Sequence, residues 1–187
     1  AGFDYTYGPK EIANMACLPN YSQERFEIVT VAKETLKGEK VSSTRIREEL
    51  ENGNMGAVKE LLGYPYRIDG MVVHGDARGS TLGYPTANVK IKSTTRLPKE
   101  GVYVTEIKVG NQWYPSMGSI GRNNTFEQNR PITVEVYILD FHQNIYGEKV
   151  SVRWLHYLRG QVAFDGMESL IEQLKKDEQD TRDYFKE

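Results

Sequence analysis

The chain is predicted to be mainly β, a six-stranded antiparallel barrel with a C-terminal helix, preceded by the tail end of an α/β domain. Three observations lead there. Six short strand-like runs separated by turn residues fill residues 68 to 158, and one stripe at helical spacing follows them. The first 63 or so residues carry too little apolar pattern for a domain of their own.

The six runs are Ile68–His74, Val89–Ile91, Val102–Val109, Trp113–Met117, Ile132–Leu139 and Lys149–Leu158. In Val102–Val109, Tyr103, Thr105, Ile107 and Val109 share a face, and Gly110-Asn111 is a two-residue hairpin signal leading into Trp113. Closing such strands into a barrel removes the exposed edges that an open sheet would leave. Asp165, with Glu168 three residues on, marks the cap of the final helix. Its Met167, Leu170, Ile171, Leu174 and Tyr184 or Phe185 form an apolar stripe expected to be core.

Upstream, Phe3–Gly8 reads as a short strand end and Phe26–Val31 as an alternating strand. Ser42 or Ser43 caps a helix carrying Ile46 and Leu50, and a second helix, Met55–Leu62, is capped by Asn54 and stopped by Gly63 and Pro65. Composition then turns from helical to β-rich, which places a domain boundary between residues 1–65 and 66–187. The first residues, Ala1-Gly2-Phe3-Asp4, carry no initiator Met, so the start fits a processing site or the cut end of something longer.

With 24 Lys and Arg against 26 Asp and Glu, the net charge of −2 creates no global field for nucleic acid or an anionic membrane. Cys17 stands alone, which excludes an internal disulfide and fits a cytoplasmic location. His74, His142 and His156 are far apart and make no zinc spacing. No apolar run reaches the ~18 residues of a bilayer span. Small molecules are the expected partners, with neither nucleic acid nor membrane among them.

Chemistry is concentrated in Gly75 to Asn88. Gly75, Gly79 and Gly83, spaced by four, let the backbone turn sharply and approach a ligand, as phosphate-binding loops do. Pro85 then stiffens the chain, and Thr86 and Asn88 offer a hydroxyl and an amide oxygen, hard neutral ligands suited to Mg²⁺. Neither a Rossmann fingerprint nor a P-loop is present, so the residue pattern alone leaves an ordinary turn cluster open.

Glu135 lies in the run Ile132–Leu139, where Thr133, Glu135 and Tyr137 share one face and Val134, Val136 and Ile138 the other. The polar face of a half-solvated strand accounts for it; a carboxylate base inside a barrel mouth is the functional alternative. Arg159, beside Gly160, is either a surface arginine at a strand end or a residue that closes over an anionic substrate. Ser42, Ser43, Thr44 and Arg47 open a helix with cations in its first turn, where the dipole disfavours them unless an anion is held there.

The run Gly70 to Asn88, then Gly101-Val-Tyr103, Val134-Glu-Val136, Leu139-Asp-Phe141 and Tyr146-Gly147, resembles the riboflavin kinase module. Upstream, Gly2 to Gly8, Ser42 to Arg47 and Leu61 to Tyr66 resemble the closing portion of the FMN adenylyltransferase module, an α/β nucleotidyltransferase. Together they are similar to the C-terminal part of the bacterial bifunctional riboflavin kinase/FMN adenylyltransferases. The resemblance implies transfer of the γ-phosphoryl of ATP to the 5′-hydroxyl of riboflavin, giving FMN, with Mg²⁺ or another divalent cation. It implies that Gly75, Gly79, Gly83 and Pro85 wrap the ATP, that Thr86 and Asn88 hold metal and phosphates, and that Glu135 is the general base. Arg159 falls where the family closes over flavin, and Ser42, Ser43, Thr44 and Arg47 fall on a remnant adenylyltransferase phosphate site. Ser80, Ser119 and Asn124 depart from the family pattern without removing a ligand or the base. No His-x-Gly-His motif is present, so the chain is expected to make no FAD by itself. A flavin- or nucleotide-binding module without turnover is the alternative from a different class.

Overall fold

The structure is a computed structural model that describes residues 2–75, 79, 82–122 and 132–186. Its contacts divide the chain into two compact units, Ala1–Ser43 and Thr44–Glu187. The Ser80 and Asn124 departures lie outside the described residues.

The first unit holds a one-turn helix α1 (Leu18–Ser22) and a two-stranded hairpin, β1 (Thr35–Leu36) and β2 (Glu39–Lys40). Phe26–Val31 does not form the expected strand, because Val31 finds only a single bridge, to Gly2, and a strand without a ladder is not held. Phe3–Gly8 likewise contributes only the bridge from Thr6 to Asn14. Lys40 ties this unit together by pairing with Asp4 and lying over the Phe3 ring at 4.9 Å from its centroid.

In the second unit every one of the six predicted runs becomes a strand: β3 (Tyr66–Val73), β4 (Thr86–Lys90), β5 (Gly101–Val109), β6 (Gln112–Gly121), β7 (Thr133–Ile138) and β8 (Lys149–Arg159). They close into a barrel in the order β3-β4-β7-β6-β5-β8, every pairing antiparallel. The β5–β6 hairpin turns at Gly110, with φ 58, and pairs Val109 with Gln112 as the two-residue signal requires. Tyr103, Thr105 and Ile107 point inward and are fully buried, and the interior is filled with Ile68, Val136, Val152 and Trp154.

Two helices, α2 (Ser43–Asn52) and α3 (Met55–Leu62), supply Leu50, Met55 and Val58 to the same apolar cluster as Ile68 and Trp154. That packing is why the division by contacts falls at Ser43, upstream of the composition change at residues 65 and 66. α3 ends at Gly63, with φ 80, as expected. Asn54 occupies the cap position, but its amide instead donates to Glu49 Oε2 at 2.7 Å.

The final helix, α4 (Met167–Tyr184), packs on the outer face of β5 and β6. Its N-cap is Gly166 rather than Asp165, in extended backbone and with no side-chain cap. The apolar stripe is not core. Met167 is exposed, Leu170, Ile171 and Leu174 are half-buried, and the buried positions are Asp177 and Thr181. The first half of α4 overhangs a cavity, and only its second half is seated.

Candidate functional site

β4 and β7 are neighbours in the barrel, with Thr86 opposite Tyr137 and Asn88 opposite Glu135. Along β7 the valine and isoleucine face is buried while Thr133, Glu135 and Tyr137 are half-buried. Glu135 therefore stands on the outside of the barrel wall, under α4, and not within the barrel mouth: the interior is already filled by Val134 and Val136. Thr86 Oγ1 donates to Glu135 Oε2 at 3.2 Å. With its proton committed to the carboxylate, the hydroxyl oxygen keeps its lone pairs for another partner.

The glycine stretch packs against this pair. A methyl on Gly75 would overlap the Asn88 amide, so any other residue there would displace that side chain. A methyl on Gly79 would run into the Tyr84 carbonyl, and the backbone N–H groups of Leu82 and Tyr84 both donate to the Gly79 carbonyl, at 3.0 and 2.9 Å. Gly83 lies in this turn at φ 83. Gly79 closes the turn that precedes Thr86 and Gly75 lies against Asn88, which brings these glycines, Thr86, Asn88 and Glu135 together.

A cavity of about 980 Å³ opens between the barrel wall and α4, lined by Thr86, Glu135, Tyr137, Arg159, Leu170 and Leu174 among others. Within it Arg159 is already held: it donates to both Asp177 carboxylate oxygens at 2.6 to 3.1 Å and to the Gly160 carbonyl at 3.0 Å. Asp177 is 2% exposed and also accepts from Gln173 at 2.8 Å, so its charge is fully compensated. A second cavity, about 450 Å³, is lined by Pro85, Thr86, Ile138, Phe141, His142 and Tyr146. The His74 ring stacks on Tyr146 at 3.8 Å. Thr86 lines both cavities.

Sequence reasoning missed Asp177, Tyr84 and the second cavity. Asp177 was readable: the inward spacing Leu170, Leu174, Asp177, Thr181 puts an acid on an otherwise apolar stripe, which demands a basic partner. Ser43, Thr44 and Arg47 fall in the first turns of α2 and Ser42 just before it, and none of the four lines either cavity.

Among the described residues no cluster of three or more His, Cys, Asp or Glu could hold a metal.

The riboflavin kinase ("Flavokinase") family model matches residues 62–185, the whole barrel and all of α4. The chain belongs to the riboflavin kinase family. It is 46% identical over 185 residues to a bifunctional riboflavin kinase/FMN adenylyltransferase of Listeria monocytogenes, covering 99% of this chain and 59% of that protein. The Bacillus subtilis protein of the same description is 38% identical over 187 residues, again with 59% of its length covered. This riboflavin kinase relative therefore spans about 59% of the length of the curated proteins it matches. A solved structure described as a macrolide-efflux protein from Streptococcus pneumoniae superposes with a TM-score of 0.84 at 44% identity, covering 97% of this chain and 59% of that one. Among the described residues of the present chain, no helix is long and apolar enough to cross a membrane.

Proposed function

We propose that the second unit transfers the γ-phosphoryl of ATP to the 5′-hydroxyl of riboflavin, giving FMN and ADP. The observation that carries this reading is the Thr86–Glu135 hydrogen bond at the junction of two cavities. Glu135 lines only the larger cavity, so the hydroxyl whose proton it takes belongs there, with the isoalloxazine against Leu170, Leu174 and Tyr137. ATP enters through the smaller cavity, its base against Phe141 and Tyr146 and its phosphates passing Thr86 under the glycine turn.

The ribityl oxygen attacks the γ-phosphorus as Glu135 accepts its proton, the bond to the β-phosphate oxygen breaks, and ADP leaves with that electron pair. Such a transfer depends chiefly on alignment and charge neutralisation. Thr86 Oγ1 and the Asn88 amide oxygen, two residues apart on β4, fit a divalent cation such as Mg²⁺ shared with the phosphates. That cation would supply charge neutralisation and in-line orientation of the phosphates. Arg159 borders the flavin volume, and its hydrogen bonds to Asp177 support a role in shaping that volume at least as much as in direct contact.

Residues 1–65 are read as the closing portion of an adenylyltransferase domain, with Ser42, Ser43, Thr44 and Arg47 as half of a phosphate site at the start of α2. FMN rather than FAD is the product proposed for the chain. The test is to incubate it with riboflavin, ATP and Mg²⁺ and to separate the flavins. Appearance of FMN is expected; tight riboflavin binding with no FMN would turn the reading into a binding module without turnover.

A further inference from the structure

Four successive strand pairings place Asn88, Glu135, Ser119, Val102 and Arg159 in one row across β4, β7, β6, β5 and β8. Directly opposed residues share a face of the sheet, with Cβ atoms about 4.5–5.5 Å apart. Ser119 therefore stands beside Glu135 on the outer face of the barrel, and both line the larger cavity. Glu135 has a part in the proposed transfer; its neighbour on β6 has none.

The hydroxyls of this wall differ in where their protons go. Thr86 Oγ1 donates to Glu135, and Thr133 Oγ1 donates to the Gly121 carbonyl at 3.2 Å. Ser119 Oγ instead accepts, from Gln161 Nε2 at 3.1 Å, and the same nitrogen donates to the Ile120 carbonyl at 3.0 Å. A carbonyl can only accept, so the end of the Gln161 amide that faces β6 is its nitrogen. The amide lies close against the strand: a methyl on Gly121 would meet that nitrogen at 2.6 Å. With one lone pair taken by Gln161, Ser119 keeps its proton for a partner in the cavity.

That partner is set by what Glu135 holds. The hydroxyl that gives its proton to Glu135 is the end of the ribityl chain, and the next hydroxyls along the chain fall within one strand spacing of it, about 4.8 Å. Ser119 is the residue one strand away. Beyond it in the row comes Val102, which offers such a chain no hydrogen bond. We propose that Ser119, its oxygen held by Gln161, is a specificity-determining residue that donates to a secondary hydroxyl of the ribityl chain and so selects a polyol over a plain alkyl chain on the flavin. The inference rests on the riboflavin kinase reading for the substrate and for Glu135 as the point where the chain ends.

The experiment compares riboflavin with a flavin carrying a 5-hydroxypentyl chain in place of ribityl, which keeps the terminal hydroxyl and lacks the secondary ones. Kd from quenching of flavin fluorescence and steady-state kcat/KM are measured for both flavins in wild type, Ser119→Ala, Ser119→Thr, Gln161→Ala and the double alanine variant. Loss of one hydrogen bond predicts riboflavin Kd raised and kcat/KM lowered about three- to tenfold in Ser119→Ala. The values for the analogue, and KM for ATP, should stay within about twofold of wild type. Ser119→Thr, which keeps the hydroxyl, should bind riboflavin as wild type does. Gln161→Ala should narrow the preference for riboflavin over the analogue, and should narrow it no further once Ser119 is alanine. Equal losses on both flavins would mean that Ser119 acts through the fold or through Glu135, and unchanged riboflavin affinity in Ser119→Ala would remove the contact; either overturns the inference. A wild-type chain that makes FMN while Ser119→Ala discriminates between the flavins as before sinks this inference alone. A wild-type chain that neither binds riboflavin nor makes FMN sinks the riboflavin kinase reading with it.

Discussion

Thr86 Oγ1 and Glu135 Oε2 meet at 3.2 Å across the β4–β7 pair, forty-nine residues apart in sequence. The bond orients a carboxylate toward the larger cavity and leaves a hydroxyl oxygen on the wall that both cavities share. The proposed base and the proposed phosphate ligand are thereby held on one sheet wall, and strands hold such geometry more tightly than loops do.

From that relationship, Glu135→Gln should lower kcat by about 10²- to 10⁴-fold, the usual worth of a positioned general base, with both KM values little changed. The amide still accepts from Thr86, so the fold and the ligand volume are kept. A kcat within a factor of about three of wild type would remove Glu135 from the role of base.

Gly75→Ala tests the support beneath Asn88. The new methyl has no room beside the amide, so Asn88 must swing away and its oxygen would be lost to the proposed cation. The expected result is a raised Mg²⁺ requirement for FMN formation and a stability loss of about 1–3 kcal/mol. Adding Asn88→Ala to Gly75→Ala should then cost little further activity. If Gly75→Ala titrates with Mg²⁺ as wild type does, the crossing of Gly75 over Asn88 has no part in cation binding.

The barrel was legible because its signals are local: strand-like runs bounded by turn residues marked all six strands and Gly110-Asn111 marked a hairpin. Phe26–Val31 alternates as well as any of them, yet forms no strand, since alternation says that a face can be buried and not that a partner exists. The site was legible only as separate pieces. Glu135 could be placed on a polar face from its period, but whether that face met solvent or a helix depended on α4, which is held through Arg182 to Asp140 just past β7 and through Asp177 to Arg159 on β8. The apolar stripe of α4 misled for the same reason: half-burial over a cavity and burial in a core have one sequence pattern.

Tyr84 also makes a prediction at alkaline pH. Burial, together with the neighbouring Glu178 carboxylate, pushes its phenol from 10 up to about 12. A tyrosine harder to ionise in the folded than in the unfolded chain contributes its full stabilisation below about pH 10. That contribution is lost as pH rises through the window from about 10 to about 12. Urea midpoints of wild type should fall across this window, and those of Tyr84→Phe should fall less steeply. Parallel declines would show that Tyr84 ionises as freely in the folded chain as in the unfolded one.

Arg159 and Asp177 allow the role of a buried charge pair to be separated from contact with substrate. Arg159→Ala leaves Asp177, 2% exposed, with a carboxylate in a low-dielectric seat and only Gln173 beside it. Removing one partner of such a pair costs about 3–5 kcal/mol, whereas replacing both by well-packed apolar residues is often neutral. Arg159→Met should therefore be strongly destabilised in urea, and the double variant Arg159→Met with Asp177→Leu should recover most of the loss. Riboflavin KM gives the second readout. If Arg159 acts by seating α4, the double variant regains affinity along with stability, because the helix is seated again. If it contacts the flavin, stability returns while KM stays high, since no rearrangement of apolar side chains replaces a guanidinium at the ligand.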